Sequence, residues 1–174
     1  MSRTPVSKET TAPGHGSSEQ QGSKEPSFQS DKVYIMDGGF ATHLTEVIGD
    51  GGKVISDPLW SSRALQSNPE AVVQTHVDFI NAGANIIGTN TYQASAELFR
   101  KHLKFKDPVL DPHLLMESAP ALARAARQKA GKFGKASLVV GSVGPYGACL
   151  GDGSEYNGHY VESEGRLLRK EQKV

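Results

Sequence analysis

A parallel α/β fold built from repeated strand–helix units is predicted by three observations. Three near-continuous apolar runs begin near residues 33, 85 and 137, a regular spacing of 52 residues. The segments between them carry helix-start signals and helical apolar periodicity. Each run empties into a polar, often glycine-rich cluster, so the clusters fall on one common face, where ligands bind in open α/β sheets and in closed (β/α)₈ barrels alike. No G-x-G-x-x-G or G-K-[ST] follows any strand, which argues against a nucleotide cradle.

Composition narrows the function classes. A chain of 174 residues suits one domain of ordinary size. With 19 basic and 19 acidic residues the net charge is zero, leaving no electrostatic footprint for nucleic acid or an anionic membrane surface. No apolar run approaches the roughly 20 residues of a membrane span. Cys149 is the only cysteine, which excludes an internal disulfide framework and a multi-thiolate metal site built from this chain alone. Its solitude fits a reducing compartment, and the expected localisation is cytoplasmic.

Taken in order, residues 1–31 are dominated by Ser, Thr, Gly, Pro, Gln, Lys and Glu and are expected to form a disordered tail. The tail has no apolar core for a secretory signal, and Glu9, Glu19 and Glu25 argue against an organelle transit peptide. Val33 to Met36 reads as a buried strand ending on Asp37-Gly38-Gly39. A carboxylate at a strand's end, followed by two glycines that let a ligand approach the main chain, suits a ligand with both an ammonium and a carboxylate. The plain alternative is a strand-to-helix turn with Asp37 as a cap.

Phe40 to Ile48 follows as a helix, closed by the loop Gly49 to Gly52. Pro58 holds Asp57 extended, and Trp60, the only tryptophan, is most simply a core residue. Asn68-Pro69-Glu70 starts the next helix with a capping Asn, a first-turn Pro and an acid. Val72, Val73, His76, Val77, Ile80 and Ala84 form its apolar face, Gly83 ends it, and His76 reads as a packed histidine. Ile86-Ile87-Gly88 is the second strand, ending in the polar run Thr89 to Gln93. A short helix from Ser95 to His102 and a long one from Asp111-Pro112 to Lys129 follow, with Pro120 expected to kink the latter or restart it. Ser137 to Gly141 is the third strand, emptying into Ser142 to Ala148 and a polar loop from Gly151 to Tyr160.

At this point the residues resemble a known family. Met36 to Thr42, Asp57-Pro58-Leu59-Trp60-Ser61, Asn68-Pro69-Glu70 through His76, Ala82-Gly83-Ala84 leading to Thr89 through Ala94, Gly141 to Ala148, and Asp152 to Tyr156 are similar to the homocysteine S-methyltransferases. Six motifs in order make the resemblance specific from residue 33 to about 162. It implies a (β/α)₈ barrel, of which this chain carries about the first three βα units. It further implies methyl transfer from S-methylmethionine or S-adenosylmethionine to homocysteine, giving methionine. In that family zinc binds the homocysteine sulfur, which deprotonates a thiol otherwise near pKa 8.5.

By the same resemblance, Asp37 holds the homocysteine ammonium and the backbone at Gly38 and Gly39 meets its carboxylate. Trp60, Asn90, Tyr92, Gln93 and Tyr146 shape the substrate pocket. No catalytic residue is assigned. The family's zinc ligands are three cysteines in Gly-x-Asn-Cys and Gly-Gly-Cys-Cys motifs; neither motif is present, and Cys149 matches neither. The family's fourth-strand acid is missing as well. The expected organisation is therefore a disordered tail at 1–31, a partial homocysteine-binding barrel domain at 32–162 and a non-family charged tail at 163–174. Two functions from different classes follow: an enzyme of the methyltransferase lineage, or a truncated non-catalytic fragment, either a partial homocysteine-binding module or a species that never folds stably. Expected partners are homocysteine and a sulfonium donor, without nucleic acid or membrane, and with self-association through uncovered strands.

Overall fold

In the computed structural model, residues 26–103, 111–158 and 160 are described. Most of the tail expected at 1–31, and all of the one at 163–174, lie outside them. Within residues 26–31, Phe28 stacks on Tyr34 at 4.9 Å, and the Gln29 N–H donates to the Tyr34 hydroxyl.

The architecture is a small parallel sheet backed by helices, in alternating order. Strand β1 (Ile86–Gly88) pairs in parallel with β2 (Leu138–Val140), Ile86 opposite Leu138 and Gly88 opposite Val140. The leading segment around Met36 lies on the other side of β1, bridged in parallel at Met36–Ile86. The repeat spacing seen in the sequence is thus the register of the sheet: paired β1 and β2 residues are 52 apart.

The first strand departs from expectation. Val33 to Met36 does not form a ladder but makes a single bridge, supported by the Asn85 and Ile86 N–H groups donating to the Ile35 carbonyl. Nor is it buried: Val33 is 94%, Ile35 61% and Met36 56% exposed. Its apolar sequence suits a sheet covered on both faces, yet the consecutive residues Ile35 and Met36, which point to opposite sides of an extended segment, are both exposed.

The helices fall close to where the sequence places them. α1 (Phe40–Ile48) begins and ends on left-handed glycines, Gly39 and Gly49. Two short helices not anticipated from the sequence, α2 (Lys53–Ser56) and α3 (Ala64–Ser67), flank a 3₁₀ turn at Trp60–Arg63. α4 (Pro69–Asn81) starts at Asn68 and Pro69 as expected, but the Asn68 side chain makes no capping hydrogen bond. α5 (Ala96–His102) is capped by Ser95, whose hydroxyl accepts from the Leu98 N–H. α6 (Pro112–Lys129) is capped by Asp111 and runs through Pro120 without interruption. Proline there removes one backbone donor but leaves the following turns intact.

The core lies among the helices rather than inside the sheet. Ala119, Ala123 and Ala126 are fully buried along one face of α6 and let it close on its neighbours. Leu59, Leu65, Leu98, Phe99 and Leu115 form one cluster, and Leu44, Val54, Ala64 and Val72 a second. Val77 and Ile80 of α4 pack with Ile87 of β1 and Ala126, which fixes β1 to the helical layer. On the outer surface His43 bridges α1 to α4, its Nε2 2.9 Å from Asp78 and its Nδ1 3.1 Å from Glu46. These carboxylates push the His43 pKa up. No helix among the described residues is long and apolar enough to cross a membrane.

Candidate functional site

The carboxyl ends of the leading segment, β1 and β2 meet at one edge of the sheet, and the polar clusters of the sequence converge there. Asp37 stands at the end of the leading segment, beside β1. Its side chain is 6% exposed, and the Gly88 N–H donates to both carboxylate oxygens at 3.0 and 3.1 Å. Burial raises the Asp37 pKa, and the Gly88 N–H works against that rise by favouring the charged form. Gly88 permits the close approach: a Cβ there would stand 3.3 Å from Met36 Cε and 3.6 Å from Asp37 Oδ1. Beyond Asp37 the chain opens outward. Gly38 and Gly39 are exposed, nothing lies within 4 Å of where their Cβ atoms would be, and Gly39 is left-handed at φ 59°.

The loops after β1 and β2 are tied together by hydroxyls. Thr91 Oγ1 donates to the Ser142 carbonyl at 2.7 Å, so its remaining contact, with Thr89 Oγ1 at 2.7 Å, takes the Thr89 proton. Thr89 in turn accepts from the Ser142 N–H at 2.9 Å. The loops also touch where Gly144 lies against the Tyr92 carbonyl, a place where a Cβ would come within 2.0 Å of that oxygen. A cavity of about 410 Å³ lies beside this junction, lined by Thr89, Thr91, Tyr92, Ser142, Gly144 and Cys149 among others.

Asn90 is buried; its Nδ2 donates to the Ser61 carbonyl at 3.1 Å, and its Oδ1 is buried without a hydrogen-bond partner among the described residues. Tyr92 is half-exposed and Gln93 half-buried, in the turn leading to α5. Tyr146 is half-exposed with its ring 5.6 Å from that of Tyr160. Trp60 stands apart. It lines a separate cavity of about 180 Å³ with Ile48, Asp50, Lys53, Asp57 and Arg63, and none of the other candidate residues lines it. Its φ of 47° is unusual for a bulky residue. The turn is held there by the Asp57–Arg63 ion pair and by the Trp60 N–H donating to the Asp57 carbonyl.

Three features of this site were not singled out from the sequence: the Gly88 anchor of Asp37, the Thr89–Thr91–Ser142 lock, and the approach of His76 to Asp37. The 52-residue repeat carried a signal for the first two, because it places the residues after each strand in equivalent positions on adjacent strands.

The zinc that the sequence resemblance implies does not fit the residues present. Cys149 is the only thiol, and burial together with Glu97 raises its pKa, opposing the thiolate a metal needs. Among the described residues no group of three or more His, Cys, Asp or Glu side chains could hold a metal ion.

Comparison with known proteins supplies the remaining observations. A family profile described as homocysteine S-methyltransferase matches residues 34–170. A betaine-homocysteine S-methyltransferase of Drosophila melanogaster is 42% identical over 135 residues, covering 75% of this chain and 40% of that protein. Homocysteine S-methyltransferase 1 of Arabidopsis thaliana is 39% identical over 137 residues, covering 74% of this chain and 40% of that protein. The metallated crystal form of the homocysteine methyltransferase MmuM from Escherichia coli aligns with a TM-score of 0.60 at 35% identity, covering 76% of this chain and 46% of that one. The chain spans about 40% of the length of these curated relatives.

Proposed function

The chain belongs to the homocysteine S-methyltransferase family, and from that premise we propose that it carries the amino-acid end of a homocysteine site. Asp37 accepts the ammonium of homocysteine, and the main chain at Gly38 and Gly39 receives its carboxylate. Asn90, Tyr92, Gln93 and Tyr146 shape the pocket, with Trp60 behind the loop that Asn90 holds through Ser61. The observation that carries this reading is the Asp37 carboxylate: nearly buried, anchored by the Gly88 N–H, and open on the side of two exposed glycines. A carboxylate in that setting prefers a cation as its next partner.

The reaction proposed for the larger protein is methyl transfer to the homocysteine sulfur, giving methionine. The donor is an onium compound: S-methylmethionine or S-adenosylmethionine on the sequence resemblance, or a quaternary ammonium such as the betaine named in one relative. The three βα units would form the opening part of a (β/α)₈ barrel in a cytoplasmic protein. Because this chain's residues do not fit the family's zinc, the 174-residue chain is read as a partial binding module without turnover.

An analogue tests the head-group reading. In a chimera where residues 33–162 replace the corresponding part of a full-length relative, homocysteine is expected to bind at least tenfold more tightly than 4-mercaptobutanoate, which lacks the amine. Equal affinities in calorimetry would remove the ammonium from the reading.

Association is expected of the chain on its own. The exposed apolar leading segment and the open edges of a short parallel sheet offer unpaired backbone groups and uncovered side chains to other chains. At tens of micromolar the protein should sediment above its 18.6 kDa monomer mass, and the double variant Val33→Lys, Ile35→Lys should shift it toward monomer. A monodisperse wild-type monomer with a sharp thermal transition would contradict this.

A further inference from the structure

His76 is fully buried on the core face of α4, and neither ring nitrogen has a hydrogen-bond partner among the described residues. The ring packs 4.7 Å from that of Phe40, and its Nδ1 stands 4.0 Å from Asp37 Oδ2. Desolvation lowers the His76 pKa to about 4, so the imidazole is neutral near pH 7. A neutral imidazole carries one N–H and one lone pair. With the proton on Nε2, the lone pair of Nδ1 faces a carboxylate oxygen and repels it. With the proton on Nδ1, a donor faces the same oxygen. The carboxylate therefore selects the second tautomer, and a shift of about 1 Å turns the approach into a hydrogen bond.

The consequence lies in the orientation of Asp37. One Gly88 N–H shared between both oxygens leaves the carboxylate free to pivot about that donor. A second donor beside Oδ2 alone removes the freedom. From this geometry we infer that His76 is a positioning residue, whose Nδ1–H holds the Asp37 carboxylate ionised and turned toward the open Gly38–Gly39 side. Its value for ligand binding rests on the reading of Asp37 as an ammonium acceptor; the His76–Asp37 geometry does not.

The test uses the full 174-residue chain, labelled with ¹⁵N-histidine and ¹³C-aspartate, in magic-angle-spinning NMR, which tolerates self-association. The His76 nitrogen shifts are expected to report the Nδ1–H tautomer; the Nε2–H tautomer, or a mixture, overturns the inference. The Asp37 carboxyl titration is then compared in wild type, His76→Asn and His76→Gln. Asparagine carries its amide where Nδ1 was and glutamine where Nε2 was. The Asp37 acid constant should stay within about threefold of wild type in the Asn variant and fall tenfold or more in the Gln variant. Equal titrations in all three overturn the inference, because a purely space-filling histidine would give that result. If a variant fails to fold, the wild-type tautomer decides alone. Neither measurement uses homocysteine, so failure of the substrate reading shows separately, as loss of the amine preference in the chimera.

Discussion

Purified alone, the 174-residue chain is expected to transfer no methyl group to homocysteine from S-methylmethionine, S-adenosylmethionine or betaine, with or without added zinc. The reason is chemical rather than architectural. A free thiol near pKa 8.5 is mostly protonated at neutral pH, and the nucleophile is the thiolate. A metal removes that difficulty only where three or four protein ligands hold it. This chain offers one thiol, Cys149, which is partly buried and whose own deprotonation is disfavoured. The expected loss is therefore total rather than partial. Formation of labelled methionine from a methyl-labelled donor checks it, and zinc-dependent product above background would refute it.

The second large effect is expected at Asp37. In the chimera of residues 33–162 with the rest of a full-length relative, Asp37→Ala should weaken homocysteine binding by about 2–5 kcal/mol, the range for removing one partner of a desolvated charge pair. That is roughly 30-fold to several-thousand-fold in Kd. Asp37→Asn separates charge from shape: it keeps an oxygen for the Gly88 N–H and loses the anion, so it should lie close to the alanine variant. Unchanged affinity in both variants would make Asp37 a turn residue that only ties the leading segment to β1 through Gly88.

Much of the arrangement was legible in the residues themselves. Helix boundaries follow from local chemistry that needs no partner: Pro69 and Pro112 at first turns, Ser95 and Asp111 as side-chain caps, and Gly49 as a left-handed stop. The parallel order followed from the spacing, and the β1–β2 register reproduces it. The site was legible as a face, because strand ends and polar loops alternate in the sequence with the same period as the fold.

Other features depended on neighbours distant in sequence. Pro120 breaks a helical pattern in isolation, yet α6 passes through it because buried alanines on either side pack the helix against the core. Asn68 occupies the cap position without capping, and Trp60 takes a left-handed φ inside a turn held by Asp57 and Arg63.

By itself, then, the sequence determined the family, the order of the two paired strands and the longer helices, and the set of polar residues at the strand ends, since periodicity, caps and motifs are local properties. Only the tertiary structure decided which of those residues meet. It set Asp37 on the Gly88 N–H, brought His76 from α4 to within 4.0 Å of it, and placed Trp60 on a cavity of its own. It also decided that Val33, Ile35 and Met36 stand exposed. An apolar strand records the burial its fold calls for, whereas the burial it attains depends on which other strands and helices pack against it.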